Sequence, residues 1–234
     1  MQSSGFEKLE IITSKAPLAV RIYQQIRREI LEGSFQPGEP LPEDQLTRAL
    51  GASRTPVREA LMRLKHDGLV QISPRKGARV SMLDEREIDE LFDAREVYET
   101  AFFDRAVKNI KRSEIKSIKD AFKEAEQHLD ESADNIPDWK QWRIEYLNLD
   151  YNFHRKLISA TENRFWIQTH SQLLNKMKVY SHNAVIKQAD FFQKVKEEHH
   201  DILDAILSED YTEAKWLLRQ HIRNFRKRLT IKLV

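Results

Sequence analysis

Along the first eighty residues the apolar positions recur three times at helical spacing and then switch to alternation. In PLAVRIYQQIRREILE (17–32), Val20, Tyr23, Ile26 or Arg27, and Ile30 share a recurring face with Leu31 beside it, which predicts an amphipathic helix. GSFQPGEP, with two Gly and two Pro, breaks that pattern, and Pro42 opens a short helix through Leu50. Gly51 ends it, since glycine most easily takes the left-handed conformation at a helix C-terminus. Ser53 is placed to cap a third helix, with Pro56 in its first turn and Val57, Ala60, Leu61 and Leu64 facing inward. After Gly68 the period falls to about two in LVQIS and ARVSM, joined by PRKG, which predicts two short strands and a basic turn. Three helices followed by a basic hairpin make a winged helix-turn-helix.

From Asp84 onward strand patterns do not return. Long helical periodicities span roughly 85–110, 112–133, 137–160, 163–180, 188–208 and 211–231, with SADNIPDW and SEDYTEA as clear breaks. The expected fold is therefore mostly α: an N-terminal winged helix-turn-helix with a small β-hairpin wing over residues 1–80, and a C-terminal all-α antiparallel helical bundle over 81–234. Composition agrees with this. The 234 residues are 40% apolar, enough for a proper core, and only six Gly and seven Pro leave little material for a large sheet.

Charge changes the picture once the chain is divided. Residues 1–80 hold 13 Lys and Arg against 9 Asp and Glu, while residues 81–234 hold 26 against 28, so a chain of net charge +2 has a basic first part and a slightly acidic second. Arg54 to Arg79 holds seven basic residues and two acidic ones, an excess suited to a polyanion. In a winged helix-turn-helix the second helix of the turn enters the major groove of double-stranded DNA, and here its first residues are Ser53, Arg54, Thr55 and Arg58. Arg offers a fork to guanine or phosphate, and hydroxyls at a helix N-terminus take phosphate oxygens. Arg75, Lys76 and Gly77 form the tip of the wing, where glycine lets the backbone approach the duplex. Each feature alone is ordinary solvated surface; their order makes operator DNA the expected partner.

Cysteine is absent, which excludes disulfides, thiolate metal sites and cysteine nucleophiles. No apolar run approaches the ~20 residues that cross a bilayer, and the N-terminus has no signal-peptide core. A soluble cytoplasmic protein without a membrane partner is expected.

The helical part carries a second candidate chemistry. LDYNFHRKL (149–157) sets Asp150 and His154 four residues apart, on one face of a helix. A surface pair, a buried hydrogen bond and half of a metal site share that local pattern. His199 begins an inward stripe with Ile202, Leu203 and Ile206, and His221 continues one with Ala214, Leu217 and Leu218, whereas His200 is turned toward the rim. One Asp and three His from three helices suit a divalent transition metal, Zn²⁺, Ni²⁺, Mn²⁺ or Fe²⁺, with open positions for a ligand or water; zinc is preferred. Hydrogen-bonded histidines around a carboxylate are the alternative.

PGEPLPEDQLTRALGASRTPVREALMRLKHDGLVQISPRKGARV resembles the GntR family of bacterial transcription regulators, with its PG-x-x-L turn, L-G-x-S-R-T-P-V-R-E-A-L segment, and G-L-V before a Gly-containing wing. The resemblance implies that Arg54, Thr55, Arg58 and the Arg75 to Gly77 wing contact the operator. Some members carry a DNA-contacting Arg early in the first helix of the turn; Asp44 stands there instead, and no base contact is assigned to that helix. Residues 86–232 are similar to the FCD effector domain of the FadR subgroup, through REVYE (95–99), DYNFH, TEN (161–163), EHHDILDAI (198–206) and AKWLLRQHI (214–222). That resemblance implies a metal held by Asp150, His154, His199 and His221. Open metal positions beside a cation would catch a small organic carboxylate. The family commonly has an effector-side Arg at the position of Arg95, whose alternative is a salt bridge to Glu99. Asn163 is a further effector candidate or a helix cap. Trp139, Trp142, Trp166 and Trp216 read as core or interface aromatics.

These readings give a homodimeric transcription regulator, not an enzyme, whose operator affinity follows the carboxylate bound at the metal. The rivals are a structural or metal-sensing site on the same DNA-binding module, and a metal-dependent enzyme.

Overall fold

In the computed structural model the described residues are 5–9, 17–128, 139–183 and 189–228. They divide into two units. Residues up to Asp84, together with Gln172–Asn183, form the first; Glu85–Ser171 and the described residues from Ala189 onward form the second.

The first unit contains α1 (Leu18–Leu31), α2 (Glu43–Leu50), α3 (Arg54–His66), β1 (Val70–Ser73) and β2 (Gly77–Val80). Its core draws Ile22, Ile26 and Ile30 from α1, Leu46 and Leu50 from α2, Val57, Ala60, Leu61 and Leu64 from α3, and Val70 and Val80 from the hairpin. The stripe on α1 is rotated from the expected one: Ala19 and Ile22 are buried, while Val20 and Tyr23 are only partly so. Tyr23 turns its hydroxyl to Asp67, just past α3, and burial and that carboxylate push its pKa to about 12.

Gly51 follows α2 with φ 60° and ψ 34°, the left-handed C-terminal conformation the sequence predicts. Ser53 stands at the N-cap of α3 with extended backbone, yet its side chain makes no capping bond. β1 and β2 pair antiparallel from Val70↔Val80 to Ser73↔Gly77, and the backbone at Pro40 and Leu41 joins the outer side of β2. Arg75 and Gly77, at φ 67° and 72°, supply the left-handed conformations that close the hairpin.

Among the described residues six helices follow: α4 (Glu85–Asn109), α5 (Arg112–Ala125), α6 (Trp139–Ser159), α7 (Arg164–Asn183), α8 (Ala189–Leu207) and α9 (Tyr211–Arg228). A short 3-10 turn, Glu126–His128, continues α5. Residues 129–133, expected to be helical, lie outside the described residues, as do 137–138, 188 and 229–231. The second half of α7 belongs to the first unit, where Val179 enters the core and Asn175 accepts from Arg27 and donates to the Asp67 carbonyl.

In the second unit α9 packs against α8 and α4, α6 against α4 and α5, and α5 against α8. Phe103, Phe122, Phe153, Phe192 and Phe225 fill the interior. Polar residues interrupt the same apolar stripes: Tyr146, Asp150, His154 and Leu157 recur along α6, Val195, His199 and Leu203 along α8, and Leu218, His221 and Phe225 along α9. The folding pattern that buries these stripes thereby converges three imidazoles on one carboxylate.

Candidate metal centre and nucleic-acid interface

Asp150, His154, His199 and His221 are completely buried, and one donor atom from each lies within 4.8 Å of the other three. Asp150 Oδ1 is 2.8 Å from His199 Nε2, 3.2 Å from His221 Nε2 and 3.4 Å from His154 Nε2; the last two nitrogens are 3.3 Å apart. Bonds of about 2.0–2.2 Å to one ion would set neighbouring donors roughly 3 to 3.5 Å apart, so the spacing suits a single transition-metal ion.

The outer nitrogens strengthen that reading. His154 Nδ1 is 2.5 Å from Glu99 Oε2, and His221 Nδ1 is 3.0 Å from Glu198 Oε2. A carboxylate holds the proton on Nδ1, so a ring that carries no second proton presents its Nε2 lone pair inward. Two lone pairs then face one another and a carboxylate oxygen, an arrangement that repels unless a cation, proton or metal, lies among them. Among the described residues Asp150 Oδ2 and His199 Nδ1 are buried without a hydrogen-bond partner. The residues therefore fit a metal, with carboxylates behind two of the imidazoles as metal-binding histidines usually have.

Electrostatics around the cluster are polarised. Burial would raise the Asp150 pKa, but the charge of His154 and hydrogen bonds from His154, His199 and His221 hold it well below the usual carboxylate range. Burial lowers His199 to about 4, so it is a neutral ring at physiological pH. Burial acts the same way on His221, yet Asp150 and Glu198 outweigh it and raise its pKa. Burial also opposes the charge of Glu198, but His221 and Arg228 bring it down to about 2.

Arg95 lies completely buried beside this cluster, and its Nε donates to Glu99 Oε1 at 2.8 Å; the bridge to Glu99 considered from sequence is present. Asp150 and Glu99 together outweigh its desolvation and keep it charged. Glu99 Oε1 also meets His170 Nε2 at 3.0 Å. Asn163 caps α7: its Oδ1 accepts from the backbone N–H of Phe165 at 3.1 Å and Trp166 at 3.2 Å. Trp142 is buried and Trp216 is 53% exposed. His200 turns away from the cluster, as expected, and pairs with Glu126, which also accepts from Tyr146.

Sequence reading missed Glu198 and His170 and saw Glu99 only as a partner for Arg95. Glu198 sits beside His199 in EEHH, but its reach to His221 depends on how α8 meets α9, which no local spacing encodes.

In the first unit Ser53, Arg54, Thr55, Arg58, Arg75, Lys76 and Gly77 are all exposed. A Cβ at Gly77 would meet nothing within 4 Å, so the residue is there for its backbone conformation, not for room inside the protein. Arg54 and Arg58 are not free cations: Arg54 pairs with Asp44 and Arg58 with Glu43, both on α2.

A winged helix-turn-helix joined in one chain to an all-helical unit is the organisation of a class, the two-domain helix-turn-helix transcriptional regulators. Residues 18–80 match the gntR family of bacterial regulatory proteins, and residues 90–224 match the FCD domain. The chain belongs to the GntR family of bacterial helix-turn-helix transcriptional regulators and carries an FCD domain. It is 26% identical over 210 residues to the HTH-type transcriptional repressor RspR of Escherichia coli, covering 88% of this chain and 86% of that one. To the HTH-type transcriptional regulator YdhC of Bacillus subtilis it is 27% identical over 148 residues, 63% of this chain and 62% of that protein's length. Among solved structures, E. coli McbR/YncC shares the fold with a TM-score of 0.72 at 20% identity, over 90% of this chain and 95% of that one. A putative GntR transcriptional regulator from Rhodococcus sp. RHA1 also gives 0.72, at 24% identity over 89% and 95%.

Proposed function

We propose that the chain is a cytoplasmic homodimeric regulator whose operator affinity is set by a small organic carboxylate bound at a divalent transition metal, zinc by preference over nickel, manganese or iron. Residues 1–80 form its DNA-binding domain, and 81–234 its effector and dimerisation domain. Ser53, Arg54, Thr55 and Arg58 enter the major groove, and Arg75, Lys76 and Gly77 follow the backbone beside it. Asp150, His154, His199 and His221 are the metal ligands. Arg95 is the effector contact, supported by its charge beside Asp150, and Asn163, whose Oδ1 caps α7, is the lesser candidate.

The observation that carries the reading is the inward convergence of two carboxylate-locked imidazoles on Asp150, which calls for a cation. When bound, a metal supplies positive charge and an open coordination position for a carboxylate. Regulation then requires the effector to bind unequally to dimer geometries that fit and do not fit the operator.

The test is an anisotropy titration of a labelled duplex, selected by the protein from a random library, with metal-free and metal-loaded protein and a panel of carboxylates. A carboxylate that shifts affinity only in the loaded form supports the reading; no shift with any member contradicts the switch. The complete burial of all four ligands favours a second reading, a closed structural or metal-sensing site. In that case chelation alone changes folding or DNA affinity, and carboxylates add nothing.

A further inference from the structure

Arg54 and Arg58 lie one turn apart on the exposed face of α3, and each is engaged from the side by an acid at the start of α2. Arg54 brings Nε to 3.1 Å and Nη2 to 3.0 Å of the same oxygen, Asp44 Oδ1. Arg58 Nε lies 3.0 and 3.2 Å from the two carboxylate oxygens of Glu43. The Arg54 and Asp44 side chains are 71% and 64% exposed, and a pair so solvated adds little to stability. Its consequence lies instead in what it leaves available.

A guanidinium has five N–H groups in a fixed plane. With Nε–H and one Nη2–H turned to Asp44, Arg54 keeps both Nη1–H groups and the second Nη2–H. One on Nη1 and the one on Nη2 form the end-on fork that matches guanine O6 and N7. The ion pair also cancels the charge that would otherwise attract any phosphate, the source of sequence-independent affinity. Both effects act in the same direction, toward discrimination.

We propose that Asp44 is a specificity-determining residue: it holds Arg54 by its inner edge so that the outer fork is presented to a guanine, and it suppresses binding of Arg54 to phosphate. The proposal rests on the DNA-binding reading above. Asp44 acts through Arg54 and is a positioning residue; it needs no base contact of its own.

The test uses full-length protein, a duplex that the wild type selects from a random library, and a scrambled duplex of equal length. Asp44→Ala removes both position and charge. Restoring the freedom of one long side chain changes an equilibrium by roughly two- to tenfold, so the ratio of selected to scrambled affinity should fall by about that factor. Selection repeated with this variant should lose preference for guanine at one position per half-site. Its salt dependence should also steepen, log K against log salt becoming more negative by about 0.9 as one more phosphate is neutralised. Asp44→Asn keeps an acceptor for Arg54 without the charge; it should show the steeper salt slope yet retain the guanine. If both variants leave the ratio, the selected base and the slope unchanged while the wild type selects a sequence, Asp44 has no such role and DNA binding stands. If the wild type retains no duplex at all, the DNA-binding reading falls and this inference falls with it.

Discussion

Glu99 and Glu198 do different work for the same cluster. Glu99 is buried and shared by Arg95, His154 and His170. Removing the charge that compensates a buried Arg is costly, so Glu99→Gln should destabilise the protein by about 3 kcal/mol in urea unfolding. A change near zero would mean that Arg95 is balanced elsewhere. Glu198 fixes one imidazole from a more accessible position, and such carboxylates typically alter metal affinity by roughly 10- to 100-fold. Glu198→Gln should weaken binding by that amount in competition with a chromophoric chelator while leaving the fold intact. Glu198 also has a pH signature. Its pKa is lower in the folded state, about 2 against 4.5, so its contribution is complete above pH 4.5 and is lost as pH falls toward 2. His199, depressed to about 4, acts on the same limb: the unfolded chain takes up its proton first, and stability declines as pH falls from 6.5 to 4. Metal-free Glu198→Gln should therefore show a flatter stability profile than the wild type between pH 4.5 and 2.

At the scale of elements, the helices and hairpin were legible because their apolar periods and breakers coincide. Gly51 is a clear case: the position demands φ 60°, and Gly51→Ala should lower the free energy of unfolding measured in urea by about 1 kcal/mol. On α1 the reading slipped by part of a turn. Val20 and Tyr23 offer as good a periodicity as Ala19 and Ile22, and only the packing on α3 chooses between them. The metal-site candidates were legible for the same reason the core was, since a histidine placed within an apolar stripe must point where the stripe points. Glu99, Glu198 and His170 were not, because they meet their partners across 55, 23 and 71 residues of chain. The Arg54–Asp44 pair escaped likewise, being a product of the angle at which the tight turn sets α2 against α3.

For the whole molecule, the proposed function requires two events in one chain: DNA recognition in the first unit and ligand recognition in the second. Arg58→Ala should weaken binding to the selected duplex by ~1 to 3 kcal/mol and alter base preference, whereas Arg75→Ala in the wing should weaken all duplexes similarly and reduce the salt slope by about 1. The opposite pattern in anisotropy titrations would exchange the roles of α3 and the hairpin.

Whether Asp150 and the three histidines hold a metal decides the proposed function most directly. Metal content per chain should be measured by mass spectrometry on protein purified without chelator or immobilised nickel, beside His199→Ala. About one transition-metal ion per chain, absent from the variant, is the predicted result. A wild type that retains no metal after reloading with zinc, nickel, manganese and iron would contradict it, and would leave the four residues as a polar core whose inward charge is a proton on His221.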